Sequence, residues 1–541
     1  MSPPLTLATY LLDSLVDHGV STIFALPGDY VLTFCHEIEK RSDLKLITLS
    51  TEAGIGFAAQ AHARAGRCLG VACVTYGVGA FSMVNQVACA YAEMVPLVVI
   101  SGGPYRQEKV KEGILLHHQV KALTGQLNIY EELTCYSAIL DDPKTAATRI
   151  QEALQAATDF MRPVYLEVPR DLCNAPILHP KRPKKSLPSV DEAGIEEASL
   201  EIVSRLQDSE QPCLMVGIEV QRRGLTEKTV ALAEKIGCPV VSSFLARGTF
   251  PPKHPQYLGT YLGFASEPVV REAVERSDCL LMLGVLFSDT NMAARLRGIS
   301  PKKVIQCIGG ELLIGHHKYE RVPLSHLLDQ VLEKYRGKIK KGTVLPHHKS
   351  PLPTAPPPGA PIKIQDVVDL LNNFLKTEKQ MIVIADTGDA LLASYEIESE
   401  RVMASTYYAT MGFAVPSALG VQLGTGERPI VLVGDGAFQM TGPEISHCRR
   451  YGINPIIIVL NNQSWVMLET FLPEAKYNKL VNWPYAEMAR LWGGNGFRVK
   501  TASEFKEAVQ KAYRSDQFSL IEVLLQPRDI TRTLKRFAEE I

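Results

Sequence analysis

Short apolar, β-branched runs recur along the chain, and between them lie longer stretches with the three-to-four-residue apolar spacing of a helix. Runs at 69–75, 96–101 and 164–168 open the series; 212–217, 239–242, 279–284 and 304–308 continue it, and 381–385, 430–433 and 456–460 close it. A run that is apolar throughout and bounded by turn residues predicts a strand buried on both faces. Strands of that kind alternating with helices predict parallel sheets wrapped on both sides. The expected fold class is α/β.

Two stretches break the alternation. Residues 176–188 hold four prolines and four Lys or Arg, and 342–361 hold seven prolines, including Pro356-Pro357-Pro358. Proline supplies no amide hydrogen and fixes its backbone angle, so such segments suit extended connections better than helices or sheets. They divide the chain into an expected first domain at 1–175, a central domain at 190–341, a linker at 342–361 and a last domain at 362–541. Each part is of ordinary domain size.

Composition acts mainly by exclusion. The 541 residues are 46% hydrophobic and 21% charged, with a formal net charge of −1. That balance supports several buried cores and invites neither nucleic acid nor an anionic membrane. The eleven cysteines are scattered without a Cys-x-x-Cys pair, which suits reduced thiols rather than a disulfide framework or a zinc site. The N-terminus lacks a basic region, Asp13 and Asp17 interrupt the apolar pattern after it, and no apolar run is long enough to span a bilayer. A cytoplasmic protein is expected.

The outer parts share a local pattern. In the first, a strand runs into Tyr76-Gly77-Val78-Gly79-Ala80-Phe81, then a helical stretch, then the Pro-led strand at 96–101. In the last, a strand runs into Val433-Gly434-Asp435-Gly436-Ala437-Phe438, then a helical stretch, then a Pro-led strand from 455. The shared Gly-x-Gly-Ala-Phe and the similar spacing suggest duplication of one α/β unit, although strand, glycine turn and helix are common neighbours in α/β folds.

The chemistry concentrates in the last part. Asn462, second of an Asn-Asn pair closing a strand, lies 26 residues after Gly436. The carboxyl ends of neighbouring parallel strands face one crevice, so the two turns point into a common site. Glycines there let backbone amides approach a phosphate, and the following helix adds the positive end of its dipole. Asp435, Asn462 and the Ser464 carbonyl offer the hard oxygen ligands that Mg²⁺ prefers. Gly-Asp-Gly alone reads equally well as a plain turn; paired with Asn-Asn at this interval it is far more specific.

These two motifs resemble the thiamine-diphosphate motif of decarboxylases, acetolactate synthases and transketolases. The resemblance extends along nearly the whole chain, in the domain order of the pyruvate decarboxylase family. It implies a pyrimidine-binding first domain, a Rossmann-like central domain and a last domain that binds diphosphate and Mg²⁺ through Asp435, Asn462 and Ser464. Gly434, Gly436 and Ala437 would form the cradle, with Thr387 and Asp389 of the 387–389 turn supporting the diphosphate. The family's site lies across a subunit boundary, so self-association, usually as a homotetramer, is implied.

Further residues follow from the same resemblance. Glu52 matches the cofactor-activating glutamate, which shares a proton with the pyrimidine ring; it also suits the first turn of a helix. Tyr408-Ala409-Thr410-Met411-Gly412 matches the segment that bends the cofactor, Met411 forming a wedge and Ala409 holding the pyrimidine edge. Asp29, His117 and His118 match the proton carriers of pyruvate and indolepyruvate decarboxylases, histidine titrating near neutrality. The pairs His316-His317 and His347-His348 lie outside any motif and are expected to be solvated.

One position departs from the pattern. Pyruvate decarboxylases carry a glutamate six residues after the second asparagine; here that position is Leu468, as in phenylpyruvate decarboxylases. The neighbouring Glu469 would point about 100° away on a helix. Thr290 and Leu391 stand where small-substrate members carry aromatics, and with Trp465 and Leu468 they are expected to line a pocket wide enough for an aromatic 2-oxo acid. A carboligase with a flavin is the competing reading within thiamine chemistry, but the central Gly217, Gly284 and Gly309-Gly310 form no Gly-x-Gly-x-x-Gly. A non-catalytic homologue is disfavoured by intact Glu52, Asp435 and Asn462, and a nicotinamide dehydrogenase has only Gly77-x-Gly79 behind it.

Overall fold

The computed structural model describes residues 5–108, 115–178, 190–289, 299–337, 357, 359–378 and 380–539. Three separate sheets account for the strands. The first contains β1 (Thr22–Ala25), β2 (Lys45–Thr48), β3 (Gly70–Val74), β4 (Leu97–Gly103), β5 (Tyr136–Ile139) and β6 (Val164–Pro169). Its order is β2-β1-β3-β4-β6-β5, every neighbour parallel. β3, β4 and β6 are buried at every position, which is why they read as unbroken apolar runs.

The central sheet contains β7 (Pro212–Val216), β8 (Val240–Ser243), β9 (Tyr257–Tyr261), β10 (Cys279–Leu283), β11 (Val304–Ile308), β12 (Glu311–Ile314) and β13 (His317–Glu320), in the order β13-β12-β11-β10-β7-β8-β9. The uniformly parallel expectation fails at one edge: β11–β12 and β12–β13 are antiparallel. Gly309-Gly310 forms the first two-residue hairpin turn, both residues at positive φ (61° and 83°), the geometry such turns require. In the second turn His316 is exposed, and His317 pairs with Glu201 at the surface. His347-His348 lies outside the described residues.

The third sheet contains β14 (Val383–Ala385), β15 (Val402–Ala404), β16 (Ile430–Gly434), β17 (Ile456–Asn461), β18 (Asn495–Val499) and β19 (Ser519–Leu524). Its order, β15-β14-β16-β17-β19-β18, repeats that of the first sheet strand for strand, again wholly parallel. The Gly77 and Gly434 turns leave corresponding strands, β3 and β16. Common topology adds to the shared Gly-x-Gly-Ala-Phe as support for a duplicated unit.

The helices at Glu52–Gly66 and Ala414–Thr425 join these two like units. Both are rich in small residues, so their backbones approach closely; Phe57 meets Phe413 edge to face near the start of the contact. Beside them Arg64 and Glu93 form a buried ion pair at 2.7 Å. Arg64 also donates to the Ala404 carbonyl, and Glu93 accepts from the Ser405 hydroxyl and the Tyr407 and Tyr408 amides. Such desolvated charges need hydrogen-bond partners, and here most of those partners lie in the segment that leads into Ala409–Met411, while Arg64 Nε has none among the described residues.

Candidate active site

Two groups of side chains stand at the carboxyl edges of the like sheets. In the first unit, β1 leads to Asp29, β2 to Glu52, and the loop containing His117 and His118 lies over the Gly77 turn. Asp29 Oδ2 is hydrogen-bonded to His117 Nε2, His118 Nε2 lies 3.9 Å from Asp29 Oδ1, and the Thr75 hydroxyl donates to Asp29 at 3.4 Å. Tyr30 stacks on the His117 ring at 4.7 Å and donates its hydroxyl to the His117 carbonyl. Burial raises the Asp29 pKa, but the hydrogen bond and charge of His117, with smaller contributions from the Tyr30 amide and His118, outweigh it and hold the carboxyl below its usual range. Asp29 and His117, 88 residues apart in sequence, are thus hydrogen-bonded, with His118 beside them.

Glu52 opens its helix after Thr51, whose hydroxyl caps the Gly54 amide. The turn is held from the other unit by Glu444, a buried residue that sequence reasoning missed. Glu444 accepts from the Ser50 and Thr51 amides and from the Thr51 hydroxyl, at 2.7–3.0 Å. Its only sequence signal was an acidic residue behind Pro443 in an apolar stretch.

In the last unit, the turns after β14, β16 and β17 stand side by side. Asp435 is 2% exposed; its carboxylate accepts from the Gly436 amide at 2.9 Å and the Gln463 amide at 2.6 Å. Asn462 Oδ1 accepts from the Ser464 amide at 3.0 Å. Burial pushes the Asp435 carboxyl up to about 6 despite those amides. A desolvated carboxylate among oxygen donors suits a divalent cation, whose charge would restore the ionised form, so these residues fit a bound metal. A side chain at position 436 would strike Trp465, since an added Cβ would stand 2.3 Å from the indole nitrogen.

The β14 turn differs in detail from expectation. Thr387 spends its hydroxyl on the Thr410 carbonyl, and the Asp389 carboxylate is taken by the Thr531 amide and hydroxyl at 3.0 and 2.5 Å. The Asp389 carboxylate thus ties this turn to the C-terminal segment, so any support the turn gives a diphosphate falls to its backbone donors. Burial pushes the Asp389 carboxyl up to about 7, against the lowering effect of the Thr531 hydrogen bonds. Asp386, passed over in the sequence, is fully buried and accepts from the amides of Thr387, Gly412 and Ala414, joining this turn to the Met411 segment. Ala409 adopts φ 55°, a left-handed conformation that costs a non-glycine residue energy and marks the segment as held in shape. Met411 is half-buried against the apolar cluster between the two units.

Of the expected pocket residues, Leu468 is 49% exposed on the helix Val466–Phe471, and Trp465 precedes it. Leu391 is buried in the apolar cluster that also holds Phe244 and Leu262. Thr290 lies outside the described residues. Glu469 turns from the Leu468 direction and accepts from the Ser464 hydroxyl. Within one chain no hydrogen bond or ion pair among the described residues links Glu52 or Asp29 to Asp435 or Asn462.

Comparison with known proteins agrees with the three-sheet fold. Residues 5–127 match the thiamine pyrophosphate enzyme N-terminal TPP binding domain, 200–334 the central domain and 386–523 the C-terminal TPP binding domain. The chain is 41% identical over 536 residues to an indole-3-pyruvate decarboxylase of Azospirillum brasilense, covering 98% of both proteins. It is 28% identical over 551 residues to a probable pyruvate decarboxylase of Schizosaccharomyces pombe (98% of this chain, 95% of the relative). It is 27% identical over 558 residues to pyruvate decarboxylase isozyme 1 of Saccharomyces cerevisiae (98% and 97%). The chain belongs to the thiamine pyrophosphate enzymes, and within them to the 2-oxo acid decarboxylase family. Its cofactor is thiamine diphosphate.

Proposed function

We propose that the protein decarboxylates an aromatic 2-oxo acid, phenylpyruvate or indolepyruvate, to the aldehyde and CO₂ with thiamine diphosphate and Mg²⁺. The observation that carries the reading is the Asp29–His117 hydrogen bond, with His118 3.9 Å from Asp29, at the same sheet edge as Glu52. The aromatic preference is supported by the indole-3-pyruvate decarboxylase relative and by Leu468 in place of an acidic wall. We further propose domain limits of 1–175, 190–341 and 362–541, with the linker at 342–361. The working unit is a homotetramer with sites at dimer interfaces, in the cytoplasm. Sites at dimer interfaces would bring the Glu52 group of one chain to the Asp435 group of another, which no hydrogen bond or ion pair among the described residues joins within one chain. No helix among the described residues is long and apolar enough to cross a membrane.

Thiamine diphosphate, when bound, supplies a sink for the electron pair left on the substrate carbon as CO₂ departs. Asp435, Asn462 and the Ser464 carbonyl would hold the metal, and Gly434, Gly436 and Ala437 the diphosphate beside it. Ala409 and Met411 would orient the pyrimidine, and Glu52 would hold a proton at its ring nitrogen. Asp29 and His117 would give a proton to the substrate carbon and take one from the product alcohol, with His118 relaying. Thr290, Leu391, Trp465 and Leu468 would wall the substrate side and keep it poor in water.

Aldehyde release from a panel of 2-oxo acids tests the proposal. Phenylpyruvate or indolepyruvate should exceed pyruvate in kcat/KM by about ten- to a hundredfold, the value of burying a ring, with long aliphatic acids between. A preference for pyruvate would overturn the aromatic assignment.

With cofactor saturating, Asp29→Asn and His117→Phe should each lower kcat by about a hundredfold or more, the usual weight of a general acid or base. His118 substitutions should cost less, and Glu469→Gln should stay close to normal. A full rate in Asp29→Asn would remove the carboxylate from the proton path.

A further inference from the structure

Glu469 occupies an unusual place for a residue beside a substrate wall. It follows Leu468 on the first turn of the helix Val466–Phe471, yet its carboxylate turns back toward the strand end it has just left. The Ser464 hydroxyl donates to Oε2 at 2.6 Å, a charge-assisted bond of the short, strong kind. The other oxygen, Oε1, accepts from Arg528 Nε at 3.2 Å, while Arg528 Nη2 donates to the Pro473 carbonyl beyond the helix. The carboxylate is 17% exposed and the guanidinium 64%, so Ser464 is the stronger partner and the arginine is partly screened by solvent. Ser464 first, then Arg528 and Lys479, hold the Glu469 carboxyl below its usual range.

Ser464 is also where Asn462 is fixed, since its amide donates to Asn462 Oδ1 at 3.0 Å. One chain of contacts therefore runs from the Asn462 side-chain oxygen through Ser464 to Glu469 and Arg528. Arg528 belongs to the segment that leaves β19. Leu525 in that segment donates to the Asn461 carbonyl, and Thr531 holds Asp389 on the neighbouring turn. The segment touches both sides of the proposed metal site.

We infer that Glu469 is a positioning residue that clamps the turn Asn462–Ser464 for its metal and couples it, through Arg528, to the C-terminal segment. The inference rests on the proposed metal role of Asn462 and Ser464. The ligand oxygens are an amide oxygen and a backbone carbonyl on a short turn, and Mg²⁺ tolerates little departure from octahedral geometry. A turn free to rock would pay for its ordering when the metal binds. Glu469 removes that cost beforehand and takes no part in the reaction itself.

The test uses the full-length protein. The apparent Mg²⁺ dissociation constant is measured by calorimetry on apo-protein in a fixed excess of thiamine diphosphate, corrected for Mg²⁺ binding to the free cofactor, and kcat is measured separately at saturating Mg²⁺ and cofactor. Glu469→Ala should weaken Mg²⁺ binding roughly tenfold, the usual weight of a hydrogen bond to a charged group, while kcat at saturation falls by less than about threefold. Glu469→Gln retains an oxygen for the Ser464 hydroxyl and should lose only about threefold, like Arg528→Gln. In Ser464→Ala, adding Glu469→Ala should weaken binding no further, because the shared bond is already gone. Should Glu469→Ala fail to fold, the glutamine variant and Arg528→Gln carry the comparison. Unchanged Mg²⁺ affinity in Glu469→Ala, with affinity lost in Asp435→Ala, overturns the clamp alone. Loss of kcat at saturation with affinity intact overturns it too, by placing the carboxylate in the reaction. Unchanged affinity in Asp435→Ala brings down the underlying metal-site reading.

Discussion

Glu52→Gln should abolish nearly all turnover, a loss on the order of a thousandfold, while thiamine diphosphate still binds. Glutamine keeps the size and hydrogen-bonding reach of the side chain but cannot exchange a proton. The turn should survive the change because its anchors lie elsewhere: Thr51 caps the Gly54 amide, and Glu444 holds the Ser50 and Thr51 amides. Loss of rate without loss of cofactor is then the signature of a proton-transfer role rather than an adhesive one. Hydrogen–deuterium exchange at the thiazolium carbon, followed by NMR, reads the effect directly. Exchange at the wild-type rate in this variant would rule out the activating role.

Asp435→Ala and Asn462→Ala should each weaken thiamine diphosphate binding by about a hundredfold or more. A diphosphate without its cation is a concentrated charge, and among the described residues no basic side chain is hydrogen-bonded to Asp435 to replace the metal. Both variants should remain folded, since β16 and β17 are carried by their own buried ladder. In Asp435→Ala, moreover, a costly buried carboxylate has gone. Calorimetric titration with and without Mg²⁺ decides the matter. Cofactor affinity that still responds to Mg²⁺ in either variant would take that residue off the ligand set.

Much of this protein is legible before folding because its central strands are buried on both faces. β3, β4, β6, β16 and β17 must be apolar at nearly every position, and such runs stand out in any sequence. The antiparallel edge β12–β13 escaped because its exposed residues carry no comparable signal. The Gly-Asp-Gly and Asn-Asn turns were readable for a related reason: each is local, built from residues adjacent in the chain, and neighbouring parallel strands bring their ends together without further information.

What joins distant segments was not readable. Glu444 meets Ser50 across 394 residues, Arg528 meets Glu469 across 59, and His117 meets Asp29 across 88. The last was anticipated only through resemblance to a family. The tie between the Asp389 carboxylate and Thr531, 142 residues on, carried no local signal either. Strand burial and turn chemistry are written locally, in residue type and period. Which polar group satisfies which depends on how helices and sheets pack, because a buried donor or acceptor must find whatever partner that packing brings within reach.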